Sequence, residues 1–186
     1  QAELSVNKAL TYENTPVTDY MTNVLLFAEV LFPQDWEYPE ETQLDGAAYA
    51  ELVMPYLQAN PALHVVRLYE NHTMPEWIPG ALLETRRAVI DSLGRGYNLS
   101  LHIGHGYRNV MHVGDGSLSN PDAFGLTNGD RLTNLYAINC DSNAIDFPSI
   151  GEAFLLSPTG GAVTNIGSTR ADFPSAGQAY EDEYFR

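Results

Sequence analysis

A single cysteine, Cys140, and a single lysine, Lys8, occur among the 186 residues. One thiol cannot close a disulfide within the chain, which removes the small disulfide-stapled folds. Basic residues of any kind are scarce: 9 Lys+Arg stand against 24 Asp+Glu, a formal net charge of −15. Nucleic acids and anionic membranes need a cationic footprint, so this charge argues against both and favours basic peptides or cations as partners. Long hydrophobic runs are missing too. The longest, residues 23–32, is interrupted by Glu29 and falls short of the roughly 18 apolar residues a membrane span requires. No signal peptide is visible at Gln1, as one would be from a charged start and an apolar stretch. Charged residues are only 18%, but 44% hydrophobic residues, with 11 Tyr, 7 Phe and 2 Trp, exclude a disordered acidic tail.

What is present alternates between strand-like and helix-like segments. Residues 1–14 read as a helix already under way. Apolar runs of strand length occupy residues 23–29, 64–69, 98–103, 135–139 and 161–166. Between them, Asp45-Gly46 starts a helix with Ala48, Leu52, Val53, Tyr56 and Leu57 at helical spacing. A second helix is expected over residues 79–93, closed by Gly94, a short one over 150–156 and a last one over 176–186. Residues 33–44 and 107–134 read as loops. Strands separated by helices predict an α/β fold with a mostly parallel sheet covered on both faces, and sites in such sheets lie beyond the carboxyl ends of the strands. No repeat or linker marks a second domain.

His105 stands at such a place. It follows a strand and is flanked by Gly104 and Gly106, which let the backbone turn and a substrate approach closely. Cys140 ends the next strand, 35 residues later. If the two strands are neighbours, imidazole and thiol face one crevice, the arrangement a thiol nucleophile needs. Against this stands the plainer reading of Cys140 as an inert, buried small hydrophobe. His102, His105 and His112 raise a metal alternative. Positions 102 and 105 point to opposite faces of a strand, however, so His102 reads as a packed residue. His112 and Asp115 could hold a cation, although Gly114-Asp115-Gly116 is also ordinary turn chemistry. The zinc-hydrolase His-Glu-x-x-His, the Gly-x-Ser-x-Gly elbow and the P-loop are absent.

Three stretches resemble the gingipain-type cysteine peptidases of peptidase family C25. They are Leu101-His-Ile-Gly-His-Gly106, residues 126–140 ending Tyr-Ala-Ile-Asn-Cys140, and residues 150–169 with Gly-Gly-Ala-Val-Thr-Asn-Ile-Gly-Ser-Thr169. The resemblance implies a caspase-like α/β/α sandwich over residues 1–186, a single peptidase domain lacking its first strands and its closing Gly-Asp-Pro strand. It implies Cys140 as nucleophile, His105 as general acid/base, and the N–H groups of Gly106 and Cys140 as oxyanion donors. Asp45 falls where arginine-cleaving relatives carry an acid, so Arg is expected over Lys at P1; a helix N-cap is the equal alternative for Asp45. Ser168 and Thr169 would line the primary pocket through their backbone, with Phe173 near an aromatic wall. Asp35 or Glu37 would orient His105, while Tyr107, Trp36 and Trp77 read as packing residues. The same resemblance implies no cofactor for catalysis, room for a structural calcium, and a secreted or cell-surface bacterial location. Its expected partners are a protein or peptide substrate and the remainder of its own processed domain, with Arg186 a candidate self-cleavage point. A non-catalytic peptide-binding or secretion-associated relative, and a metal-dependent hydrolase, are the other function classes.

Overall fold

Alternation along the first strand sets the layering. In residues 23–28 the side chains of Leu25 and Phe27 go to one apolar cluster and those of Val24, Leu26 and Ala28 to another. A strand buried on both faces is what a covered parallel sheet requires. The computed structural model describes residues 2–186. It opens with helix α1 (Ala2–Asn14), strands β1 (Asn23–Ala28), β2 (Val30–Phe32) and β3 (Leu44–Asp45), and helices α2 (Gly46–Ala50) and α3 (Met54–Gln58). Strands β4 (His64–Tyr69) and β5 (Ala81–Leu83), helix α4 (Arg86–Arg95) and strand β6 (Leu99–Ile103) follow. Then come β7 (Gly106–Tyr107), β8 (Val110–Val113), β9 (Gly116–Ser119), α5 (Asn120–Phe124) and β10 (Thr133–Ile138). Helix α6 (Ile150–Leu156), strand β11 (Ala162–Gly167) and helix α7 (Pro174–Phe185) close the order.

Six strands form the central sheet in the order β11-β10-β6-β1-β4-β5, and every pairing in it is parallel. Residues of α4, α5 and α6 pack with Leu25 and Phe27 on one face, and those of α2, α3 and α7 with Leu26 and Ile103 on the other. The α/β architecture, covered on both faces, is therefore the one expected. The lone lysine serves it: Lys8 Nζ reaches from α1 to the carbonyls of Phe154 and Leu155, at 3.3 and 2.8 Å. It thus satisfies the unpaired C-terminal end of α6, and burial lowers its pKa to about 8.

Two expectations are corrected. The helix expected over residues 79–93 divides: residues 81–83 form edge strand β5, paired with Arg67–Tyr69, and α4 begins only after Thr85, whose Oγ1 accepts the Ala88 N–H at 3.0 Å. Leu82 and Leu83 mimic a helical stripe but stay exposed at the sheet edge. Gly94 lies inside α4, and the stop is Gly96, whose φ of 92° suits only glycine. The loop expected over residues 107–134 holds a three-stranded antiparallel sheet, β7-β8-β9, and helix α5. Its strands run two to four residues, too short for a periodic pattern to emerge.

Candidate active site

Strands β6 and β10 are neighbours, with Ile103 opposite Ile138. His105 and Cys140 each lie two residues beyond that pair, so both leave the sheet at one edge and level with each other. The Gly104 N–H donates to Ile138 O at 3.2 Å and ties the two exits together. Gly106 is packed against the cysteine turn: a Cβ there would stand 3.0 Å from both Cys140 O and the Asn139 side chain. His112 N–H donates to His105 O at 2.9 Å, which makes Gly106 and Met111 a non-hydrogen-bonded antiparallel pair. In such a pair the N–H points away from the partner strand, so the Gly106 amide is free of β8. Among the described residues the Cys140 N–H also has no protein acceptor, whereas the next amide, Asp141 N–H, donates to Arg170 O at 3.0 Å. Asp141 holds the turn with a φ of 56°, a left-handed conformation that Asp tolerates better than most residues.

The His105 ring is fixed from the β1–β3 side. Its Nε2 lies 2.8 Å from Leu31 O. A carbonyl can only accept, so Nε2 carries the proton and Nδ1 keeps the lone pair of the neutral ring. The Gln34 amide lies 3.3 Å from the same nitrogen, and the Phe32 ring meets the imidazole edge-on, with centroids 5.5 Å apart. Asp35 and Glu37, the expected orienting acids, are not among the ring's hydrogen-bond partners. Leu31 O holds that place, with the Gln34 side chain beside it, and nothing in the sequence of this loop marks either one.

Behind the histidine stand three carboxyl groups that the sequence reading did not single out. Glu29 Oε1 accepts the His105 N–H at 2.6 Å. Glu70 Oε2 accepts the Val30 N–H at 2.7 Å, and Glu84 Oε2 accepts the Gly114 N–H at 2.9 Å. Burial pushes Glu29 up to about 8, against the downward pull of its bond from His105. Glu84 is raised well above its ordinary value by burial first, then by the neighbouring Glu29 and Glu70. Each acid follows or ends a strand (β1, β4 and β5), and together they anchor the β1–β2 turn, the histidine backbone and the β8–β9 hairpin. The one available signal was their shared position at strand ends.

Cys140 is half-buried. Its Sγ accepts the Asp172 N–H at 3.3 Å and lies 3.6 Å from Asp172 O. Asp172 also lines a cavity of about 560 Å³ between α7 and strands β10 and β11, together with Tyr136, Ile138, Ser168, Tyr180 and Tyr184. Ser168 thus lines the cavity that Asp172 borders, while Cys140 itself does not line it. Thr169 and Phe173 do not line the cavity; Phe173 precedes α7 and is 67% exposed. Asp45 is apart from it as well. Asp45 Oδ1 accepts the Ala47 N–H at 2.9 Å as the N-cap of α2, and Oδ2 accepts from Asn71 Nδ2 at 2.8 Å. Burial raises its pKa and these bonds partly offset the rise. The three substrate-binding candidates thus share the carboxyl edge of the sheet but not one pocket.

His102 is packed, as expected. It is fully buried, stacks near Phe27 with ring centroids 4.9 Å apart, donates from Nε2 to His112 O at 2.9 Å and accepts from Asn139 Nδ2 at 3.1 Å. Burial lowers its pKa to about 4, so it stays neutral. Asp115 is engaged at the start of α4, accepting the Arg86 N–H at 2.6 Å. Among the described residues no three His, Cys, Asp or Glu side chains are grouped so as to hold a metal ion. Trp36 is buried and Trp77 stacks edge-on against Tyr69. Tyr107, expected to pack, is 50% exposed instead.

A parallel α/β sandwich with a Gly-His-Gly turn and a cysteine at adjoining strand ends is the architecture of caspase-like proteins. The model of peptidase family C25 matches residues 1–186, and the chain belongs to that family. No curated protein matches it. Among solved structures it is similar to the Arg-specific cysteine proteinase gingipain R (RgpB), with a TM-score of 0.74 and 20% identity over 98% of this chain and 41% of that one. The complex of Porphyromonas gingivalis RgpB pro- and mature domains gives 0.71 and 20% identity, over 97% and 41%. A structure described as a protease gives 0.64 and 17%, over 95% and 35%. The chain thus spans less than half the length of the solved structures whose fold it shares. Among the described residues no helix is long and apolar enough to cross a membrane.

Proposed function

We propose that this chain carries the catalytic pair of a cysteine endopeptidase that cleaves after a basic residue, arginine in preference to lysine. The observation that carries the reading is the register of β6 and β10, which brings His105 and Cys140 off neighbouring strands at the same level. With Nε2–H given to Leu31 O, Nδ1 is the atom that takes the thiol proton. The thiolate, steadied by the Asp172 N–H, attacks the scissile carbonyl carbon. The resulting oxyanion is met by the Gly106 and Cys140 N–H groups, in a position where one donor is typically worth about 10²–10³ in kcat. Collapse breaks the C–N bond, and Nδ1–H passes its proton to the departing amine. Water then hydrolyses the thioester and restores the thiol.

Asp45 supplies the preference in this reading. An ionised carboxylate pairs with a guanidinium through two parallel hydrogen bonds, which the point charge of lysine does not reproduce. Ser168 and Thr169 contribute backbone atoms around the substrate, and no cofactor takes part. The natural substrate is a protein or peptide met outside the cell, with the rest of the protein completing the cleft. The test is hydrolysis of arginine peptides by the intact protein before and after thiol alkylation, and by Cys140→Ala. Both treatments should abolish turnover while the far-UV circular dichroism stays unchanged; full turnover in Cys140→Ala would sink the mechanism.

A further inference from the structure

The chain has eight arginines, and six of them, Arg67, Arg86, Arg87, Arg131, Arg170 and Arg186, are paired with carboxylates. Arg108 is held differently. Its guanidinium carbon lies 3.5 Å above the Phe147 ring and 5.1 Å from the Tyr107 ring, and among the described residues it enters no ion pair. Its own carbonyl accepts the Ile150 N–H at 2.7 Å, docking the β7–β8 turn onto the start of α6. Arg108 is two residues past Gly106, and Phe147 is seven past Cys140. The cation therefore bridges the histidine loop and the cysteine loop. The patch is open: Tyr107 is 50% exposed, Phe147 39% and the nearby Ile145 89%.

Stacking uses the faces of a guanidinium and leaves its edge N–H donors in plane. Here, among the described residues, the edges have no protein acceptor, while the faces are already ordered by two rings. A fork prearranged in this way suits a carboxylate, with little further entropy to lose. The surrounding charge sharpens the point. A surface of net charge −15 repels acidic segments, so one unneutralised cation at the mouth of the site decides where a substrate can place an anion. We infer that Arg108, seated on Phe147 and Tyr107, is a subsite for a substrate carboxylate close to the scissile bond, so that the site reads an acidic group beside the basic residue at P1. This rests on the peptidase reading above. The carboxylate is an acidic side chain or the terminal carboxylate of a short peptide, and the same chemistry serves both.

The experiment uses arginine peptides that carry Glu or Gln at each position near the cleaved bond, and a pair ending in a free acid or an amide. Peptides are assayed for turnover by the intact protein and for binding, by fluorescence anisotropy, to its Cys140→Ala form. At one position Glu should exceed Gln by about tenfold in kcat/KM, mainly through KM, with a matching ratio in binding. Arg108→Gln, and Arg108→Met, which keeps the apolar stem, should bring that ratio to about one, and Arg108→Lys should retain part of it. A preference confined to the free-acid pair also supports the subsite and identifies the terminal carboxylate as its ligand. Equal handling of all the pairs by wild type, or an undiminished preference in Arg108→Gln and Arg108→Met, overturns the inference. Absence of all turnover would count against the peptidase reading, and the binding ratios would still decide this one.

Discussion

At the scale of single residues, Asp45 does two things that substitution can separate. Its Oδ1 caps α2 and its Oδ2 receives the Asn71 amide. Asn caps a helix about as well as Asp, so Asp45→Asn should leave stability within about 0.5 kcal/mol of wild type. The new amide nitrogen would face Asn71 Nδ2, but Asn71 Oδ1 is buried without a partner and can turn to accept it. Losing the charge opposite a P1 guanidinium is a larger matter. Removing one partner of a desolvated pair costs about 2–5 kcal/mol, so kcat/KM on arginine peptides should fall by roughly 30- to several-thousand-fold. Peptides differing only at P1, assayed alongside thermal melts, check both halves. An unaltered Arg preference in Asp45→Asn would leave Asp45 a helix cap and nothing more. His102 poses the reverse case. It is a histidine beside the site whose two nitrogens are committed to His112 O and Asn139, so His102→Ala should cost about 2–4 kcal/mol of stability by stranding both partners.

At the scale of elements, the turn after β6 is shaped by what cannot be there. A methyl group on residue 106 would stand 3.0 Å from Cys140 O and from Asn139, closer than most real contacts, so Gly106→Ala must push the histidine and cysteine turns apart. We expect the variant to fold, with Tm lowered by a few degrees (a loss of about 1 kcal/mol), and to lose about 10²-fold or more in kcat as an oxyanion donor is displaced. Wild-type kcat in Gly106→Ala would remove Gly106 from the site. The same turn shows what a sequence does and does not disclose. Its glycines, the strand before it and the strand ending at Cys140 are each readable, because a strand buried on both faces must be a continuous apolar run. Neighbouring strands in a parallel sheet then bring His105 and Cys140 together. Gln34 and Leu31 O were not readable. A backbone carbonyl has no sequence signature, and the loop over residues 33–44 offered Asp35 and Glu37 as chemically better candidates than Gln34. The β8–β9 hairpin was hidden because its strands are four residues each, although its Gly114-Asp115 turn is a known hairpin signal. In β5 the two exposed leucines imitated a helical face.

At the scale of the whole molecule, the acidic composition has an internal counterpart. Burial raises Glu29 and Glu181 from 4.5 to about 8 and holds Glu84 well above its ordinary value. In the unfolded chain these groups ionise near their ordinary values, so between 4.5 and about 8 the folded state holds protons that the unfolded state has released. Their contribution is complete below 4.5 and is lost as pH rises through about 8. His102 acts oppositely: lowered from 6.5 to about 4, it contributes fully above 6.5 and loses that contribution as pH falls through 4. Between 6.5 and about 8 His102 no longer titrates and Lys8 is still largely protonated, which leaves the buried acids to set the slope. Stability should therefore fall as pH rises from about 6.5 to about 8, above which the lowered Lys8 acts the other way; the fall is the reverse of the response of a protein whose carboxylates are salt-bridged. Glu181 offers the cleanest handle. It is 1% exposed, both its oxygens lack partners among the described residues, and it lies on α7 four residues from Gly177, whose Cα faces Ile138. Replacing it with methionine of similar length removes a buried carboxyl that has no partner among the described residues and fills the same space with an apolar side chain. Urea midpoints of Glu181→Met should exceed those of wild type at about pH 9 and approach them at about pH 5.5, where the wild-type carboxyl is already neutral. An equal shift at both values would mean that shape rather than ionisation governs this contact.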